Sequence, residues 1–119
     1  MNIDVIDYAT TYLLDRCIRE DHEWLCNFRI SFATNGILYF DEKVQNYLTK
    51  FHDFISLTVS IDGPKDIHDA CRKDPNGNGS FDMAYKAMKH WHEHYNKDNN
   101  KAETKVTIAP ENLHDLNKI

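Results

Sequence analysis

Apolar residues at helical spacing mark three long segments of this chain. They predict a helix over roughly residues 3–20, a second over 41–51 and a third that begins after Ser80. Asp41 and Ser80 are suited to cap the second and third helices. The apolar stripes comprise Val5, Tyr8, Tyr12 and Leu13 in the first helix, Val44, Tyr47, Leu48 and Phe51 in the second, and Ala84, Ala87, Met88, Trp91 and Tyr95 in the third. KDIHDACRK is expected to form one short helical turn, and ENLHDLNKI to begin a last helix.

Strand-like segments alternate with these helices. FRISFATNG, FISLTVSIDG and ETKVTIAP are rich in β-branched and aromatic residues, and DPNGNG and NKDNNK are polar connections. Helix-sized crossovers between strands predict an α/β fold with three parallel strands and right-handed connections. The middle strand is almost continuously apolar, which is typical of a strand covered on both faces.

Polar residues occupy the carboxyl ends of the first two strands, where parallel α/β folds bind their ligands. Thr34 and Asn35 follow one strand, and Ser60 and Asp62 follow the next. Ser60 and Asp62 are two residues apart, so on a regular strand they share a face and would suit a sugar diol or an amine. The alternative is that all four residues only cap loops.

Length and charge limit the class of protein. The 119 residues suit one domain, and the net charge of −5 comes from interleaved charges without the basic stripe of a nucleic-acid binder. No apolar run is long enough to span a bilayer, and no signal peptide is visible, so the default expectation is a cytoplasmic protein without membrane or nucleic-acid partners.

The spacing of the cysteines and histidines gives little indication of a metal-binding site. Cys17, Cys26 and Cys71 match neither a zinc ribbon nor an iron–sulfur run, and we expect no metal site. HWHEH matches the H-x-x-E-H form of a zinc-protease helix, with His90 and His94 as the paired ligands. The inward position of Trp91 predicts instead that both histidines face solvent, where adventitious nickel or zinc binding is the more plausible metal chemistry.

Four motifs together resemble the radical S-adenosylmethionine (SAM) family, in particular its sulfatase-maturase and peptide-maturase (SPASM-type) branch. They are TNG at a strand end, SIDGPKDIHDACR, GNGSFD before a helix, and VTIAPENLHDL. The resemblance covers roughly residues 28–116. It implies that the whole chain, residues 1–119, is an interior piece of a larger enzyme or the product of a truncated gene. The chain would contribute strands three to five of a partial (β/α) barrel.

The resemblance also implies roles for individual residues. Ser60 would hydrogen-bond the ribose or the aminoacyl part of SAM, and Asp62 would support that turn or contact the ligand. Thr34 and Asn35 would shape the floor near the iron–sulfur cluster and the ribose. Arg72 is a candidate partner for the SAM carboxylate, with a salt bridge to a loop aspartate as the equal alternative.

Departures from the family pattern limit what the chain alone can do. The CxxxCxxC motif that holds the 4Fe–4S cluster is absent, as is the GGEP-like turn that holds the SAM amino group, and Ala33 replaces a polar residue common before TNG. The function implied is radical-based modification of a peptide or protein substrate by the full-length parent, a radical SAM oxidoreductase or maturase, with the remainder of the barrel as partner. This chain alone would bind neither cofactor, and the sheet face that the barrel would close should expose apolar residues of ISFA and ISLTVSI. The alternative is a stand-alone, non-catalytic α/β binding module with a vestigial nucleoside site.

Overall fold

The computed structural model describes residues 2–96, 103–110 and 112–118. Its helices are α1 (Ile3–Arg19), α2 (Trp24–Asn27), α3 (Glu42–Phe51), α4 (Lys65–Cys71) and α5 (Phe81–Tyr95), and its strands are β1 (Ile30–Thr34), β2 (Ile55–Ser60) and β3 (Thr104–Lys105). Single 3₁₀ turns cover His52–Phe54 and Leu113–Asp115. No helix in the described ranges is long and apolar enough to cross a membrane. Most of the predicted NKDNNK connection lies outside the described residues.

The three strands form one parallel sheet in the order β1-β2-β3, which confirms the predicted α/β fold. In the register, Ile30 lies opposite Ile55, and Ser60 lies opposite Lys105. The third strand is much shorter than the predicted segment because the chain beyond it bonds to side chains. The backbone N–H of Thr107 donates to the Asp62 carboxylate, and its carbonyl accepts from the amide of Asn112. The helix expected after it is only a 3₁₀ turn.

Helices α3 and α5 pack on the same face of the sheet. The core contains Ile55, Leu57 and Val59 of β2 together with residues of α3, α5 and the loop after β1: Tyr39, Tyr47, Leu48, Phe51, Ala84, Ala87 and Trp91. Burial along β2 alternates between buried and half-buried residues. The prediction that this strand is covered on both faces is therefore wrong, since only Ile55, Leu57 and Val59 of the strand point into the core.

The other face of the sheet carries small side chains, most of them with hydroxyl groups. We call this the open face, formed by Ser31, Ala33, Ser56, Thr58 and Ser60, of which the first two are exposed and the others half-buried. The expectation that this face exposes the apolar residues of ISFA and ISLTVSI is wrong. The strands alternate, so their large apolar side chains point to the helices and their small ones to the open face.

Helix α1 has the predicted bounds to within one residue. Most of the apolar residues from which it was predicted, however, do not lie on the face that packs against the rest of the protein. Val5, Tyr8 and Tyr12 are all more than half exposed. The opposite face contacts α3, where the hydroxyls of Thr10 and Tyr47 form a buried hydrogen bond of 2.9 Å. A polar contact between the helices thus helps to select which side of α1 is buried.

The loop after β1 passes close to helix α5. Gly36 has a φ of +78°, and a Cβ built on it would lie 2.9 Å from Ala84 Cα and 3.2 Å from Ala87 Cβ. Ala84 and Ala87 are fully buried, as predicted for the inner stripe of α5. Small residues on both sides allow the strand end and the helix to touch backbone to backbone.

Candidate functional site

Asp62 and Arg72 form an ion pair beyond the carboxyl end of β2. Arg72 donates from Nε and from Nη2 to the two carboxylate oxygens of Asp62, with the Nη2–Oδ1 distance at 3.1 Å. The Thr107 N–H donates to the same carboxylate at 2.8 Å. Burial alone would raise the pKa of Asp62, but these donors outweigh it and hold the pKa below its usual range. The salt bridge to an aspartate that was predicted as one role for Arg72 is therefore present, and the Asp62 end of it is buried, with Asp62 2% exposed.

His68 lies beneath this pair and is completely buried. Its Nδ1 accepts the backbone N–H of Asp62 at 3.2 Å, and its Nε2 lies 3.1 Å from the Ser80 hydroxyl. Because Nδ1 is an acceptor, the proton of the neutral ring is on Nε2 and is donated to Ser80. The Ser80 hydroxyl in turn donates to the Arg72 carbonyl at 3.3 Å. Burial lowers the pKa of His68, which favours this neutral form.

Ser80 and His68 have the residue types of a nucleophile and its base, but their arrangement does not support that chemistry. A general base would need a free lone pair toward the serine, whereas here Nε2 carries the proton. Ser80 is 1% exposed, so a substrate could not reach it. We conclude that the two residues join the end of β2 to the start of α5.

Asp69 completes this junction. Its carboxylate accepts the backbone N–H of Phe81, the first residue of α5, at 2.8 Å. Ser80 occupies the N-cap position without making a side-chain cap, so its predicted capping role is wrong. Its hydroxyl bonds to His68 and to the Arg72 carbonyl instead.

No role was predicted for His68 or Asp69. The pattern of KDIHDAC does not single out His68, because residues adjacent in a helix point in different directions. Ile67 and His68 are the two buried residues of α4. A buried histidine beside a Gly-Pro turn needs polar partners, which the neighbouring strand end supplies.

The loop after β1 uses its polar side chains locally. The Thr34 hydroxyl accepts the N–H of Gly36 at 3.2 Å, and the Asn35 side-chain oxygen accepts the N–H of Ile37 at 3.1 Å. These are the turns that threonine and asparagine commonly form. Both residues border an apolar cavity of about 420 Å³ at the end of β1, and Asn35 is exposed.

Ser60 stands apart from the Asp62 network. It is half-buried on the open face, and its hydroxyl has no hydrogen-bonding partner among the residues that the structure describes. Asp62, two residues later, is enclosed by Arg72 and Thr107. The predicted site residues therefore fall into three places: the β1 loop for Thr34 and Asn35, the open face for Ser60, and the closed network for Asp62 and Arg72.

A second cavity, of about 540 Å³, lies beside Arg72. It is bordered by Asp62, Ala70, Cys71, Arg72, Thr107 and Ala109. The Arg72 side chain is 26% exposed, and it donates to Asp62 from Nε and Nη2 but not from Nη1. Of the charged groups at this cavity, the guanidinium is the one that an anionic ligand could reach.

The three cysteines lie on separate elements. Cys17 is buried in α1, whereas Cys26 and Cys71 are exposed in α2 and at the end of α4. Within the described ranges, no three His, Cys, Asp or Glu side chains are grouped to hold a metal ion.

The histidines of HWHEH differ in their exposure. His94 is exposed as predicted, but His90 is half-buried, with its Nδ1 2.9 Å from the hydroxyl of Tyr39. The prediction that both face solvent is therefore correct only for His94. Tyr39 reaches His90 because the turn after Gly36 places it against α5.

Comparison with known proteins identifies no relative: no family model, no curated protein and no solved structure matches this chain.

Proposed function

We propose that this chain forms part of the wall of a SAM site in a radical SAM enzyme of the peptide-maturase class, and that it is catalytic only with the remainder of the barrel. The observation that carries the proposal is the one-sided packing of the sheet. In a (β/α) barrel, strands consecutive in sequence are neighbours and the helices cover the outer face. A doubly wound sheet has helices on both faces. The order β1-β2-β3, with α3 and α5 on one face, favours the barrel segment.

The open face supplies the polar contacts. Small side chains leave room for a ligand, and the hydroxyl of Ser60, which bonds to none of the residues described, suits a ribose hydroxyl at the strand end. Asn35 adds an exposed amide on the neighbouring strand end, beside Thr34. Arg72 retains a guanidinium N–H for the SAM carboxylate, whereas Asp62 holds the turn.

The remainder of the barrel would have to provide the cluster ligands and the turn for the SAM amino group. When bound, the cluster and SAM would supply radical chemistry toward a peptide or protein substrate. The residues of this chain would only bind and orient SAM.

The proposal is tested by joining the chain to a radical SAM segment that carries CxxxCxxC and the GGEP-like turn. SAM binding is then measured by calorimetry. Ser60→Ala should weaken SAM binding about fivefold, because one hydrogen bond is worth on the order of 1 kcal/mol. Ser56→Ala is the matched control, since it removes a hydroxyl from the same face toward the amino end of β2. Equal SAM affinities for Ser60→Ala and Ser56→Ala would refute the assignment.

The second candidate is a stand-alone α/β module with a vestigial nucleoside site. The closed network of Asp62, Arg72, His68 and Ser80 favours it, because these polar groups satisfy one another without further chain. Such a module should bind adenosine as the isolated chain, with amide shifts confined to the ends of β1 and β2 in NMR spectra. Absence of those shifts at millimolar adenosine would eliminate this candidate.

A further inference from the structure

The apolar cavity at the end of β1 has room for a ligand larger than a single ring. Its volume is about 420 Å³, whereas an apolar cavity of about 150 Å³ is enough to hold benzene. It is lined by Phe32 and Leu57 of the sheet and by Val44 and Leu48 of α3, so most of it lies on the side that the helices cover. Leu38 of the loop after β1 also borders it and is 64% exposed, so the cavity is reached from solvent at this loop.

The charge of the cavity lining limits the kind of ligand. None of the described residues that border it has a charged side chain. Two tyrosines are among them, but their hydroxyls are already hydrogen-bonded. The Tyr39 hydroxyl lies 2.9 Å from His90 Nδ1, and that of Tyr47 lies 2.9 Å from the Thr10 hydroxyl. A charged group placed inside would lose its hydration without gaining a partner, so the body of the ligand has to be uncharged and apolar.

Thr34 and Asn35 add two hydrogen-bond donors at the border of this cavity. The Thr34 hydroxyl oxygen accepts the N–H of Gly36, and the Asn35 side-chain oxygen accepts the N–H of Ile37. Both turns use the oxygen as an acceptor, so the Thr34 O–H and the Asn35 side-chain NH₂ are left without an acceptor among the described residues. A ligand oxygen that only accepts, such as a carbonyl, complements both donors.

We propose that this cavity binds a small uncharged ligand that has a ring-containing apolar body and one carbonyl oxygen. The body lies between β1 and α3, and the oxygen accepts from Asn35 and Thr34. Small-molecule sites are typically about 300–1,000 Å³ in volume, mostly apolar, with a few polar groups that fix the orientation of the ligand. The rings of Phe32 and Tyr47 meet edge to face at 6.1 Å and offer an aromatic surface to a ligand ring. This site does not depend on SAM binding, although Thr34 and Asn35 belong to both proposals.

The test is titration of the full chain with acetophenone and, separately, with ethylbenzene, followed by NMR of the methyl groups. Acetophenone should cause saturable shifts of the methyl signals of Val44, Leu48 and Leu57. Ethylbenzene has the same ring and nearly the same size but no oxygen, so it should bind about fivefold more weakly, as expected for one lost hydrogen bond. Equal affinities would overturn the proposal, as would the absence of saturable shifts at these three residues.

Three variants locate the site. Asn35→Asp keeps the oxygen for the Ile37 N–H but removes the NH₂ donor, so it should weaken acetophenone binding about fivefold and leave ethylbenzene binding unchanged. Val44→Phe fills the cavity and should abolish the shifts. Val5→Phe is the matched control, because it makes the same change on the exposed side of α1 and should leave binding unchanged.

The variants also give results that would refute the site. Equal effects of Val44→Phe and Val5→Phe, in proteins whose fold is checked by far-UV circular dichroism, would exclude the cavity. If Val44→Phe does not fold, the Asn35→Asp variant decides, since an unchanged ratio of the acetophenone and ethylbenzene affinities would overturn the proposal.

Discussion

The buried imidazole of His68 provides the sharpest test of the structure, because it joins β2, α4 and α5. His68→Ala removes the acceptor for the Asp62 N–H and the donor to Ser80. An orphaned buried N–H costs about 1–3 kcal/mol, and a lost hydrogen bond about 1 kcal/mol. The space left by the ring adds a cavity term, so we expect a total loss of about 3–5 kcal/mol in the free energy of unfolding.

Two variants make this magnitude interpretable. His68→Asn can place an amide oxygen near the position of Nδ1, so it should keep the Asp62 contact and lose only about 1–2 kcal/mol. His114→Ala changes an exposed histidine and should stay within about 0.5 kcal/mol. Urea unfolding followed by circular dichroism measures all three. A loss below about 1 kcal/mol for His68→Ala would refute the buried network.

The same residue gives a pH dependence whose sign follows from its environment. Burial lowers the pKa of His68; Asp62 and Asp69 favour its protonation, and Arg72 opposes it. The unfolded chain therefore binds a proton near pH 6.5 that the folded chain does not, and stability falls as the pH drops below that value. The slope is at most about 1.4 kcal/mol per pH unit for this one proton, and it ends below the folded pKa.

Comparison of the wild type with His68→Asn between pH 7 and 5 isolates this contribution. The pKa of His90 is also lowered, by burial and by the neighbouring His94, but that effect is common to both proteins. Asp62 acts in a lower window, since its depressed pKa gives stability that is lost only as the pH falls below about 3.8. Parallel stability curves for the two proteins would contradict the assignment of a buried neutral His68.

Three further substitutions test backbone strain in two turns and the contacts of α5. Gly77→Ala, at a φ of +84° and with no atom within 4 Å, should cost about 1–2 kcal/mol for backbone strain alone. Gly36→Ala should cost about 3 kcal/mol or more, because overlap with Ala84 adds to that strain; equal losses in thermal melts would disprove the close approach. Asp69→Ala should cost about 1 kcal/mol by removing the acceptor for the Phe81 N–H, and an unchanged melt would show that this cap contributes nothing.

Local patterns predicted the elements whose contacts are local or strongly periodic. The bounds of α1 and α3 follow from residue spacing, and the Asp41 side chain caps α3 by accepting the Lys43 N–H. The packed side of α1 was not predictable from spacing. The helix has apolar residues on two sides, and the buried side packs on the core through Ile3, Ile6 and Leu14 and bonds to Tyr47, which is distant in sequence.

The length of β3 escaped prediction for a similar reason. ETKVTIAP has the composition of a strand, but the Thr107 N–H bonds to Asp62, 45 residues earlier. Residue types at the strand ends predicted where polar groups would gather. Which of these polar groups remain available to a ligand depends on contacts between distant segments. The local sequence pattern contains no information about those contacts.

The separation between Ser60 and Asp62 bears directly on how a ligand would be recognised. The Asp62 carboxylate is hydrogen-bonded to Arg72 and to the Thr107 N–H. Replacement of Asp62 would therefore disturb the junction of β2 with the segment after β3, whether or not a ligand binds. The Ser60 hydroxyl makes no hydrogen bond to the described residues, so its removal should cost the fold little stability. A ligand-binding defect from Asp62 substitution would therefore be ambiguous, whereas one from Ser60→Ala would point to the open face. Ser60 is for this reason the residue that decides whether the sheet face binds a nucleoside.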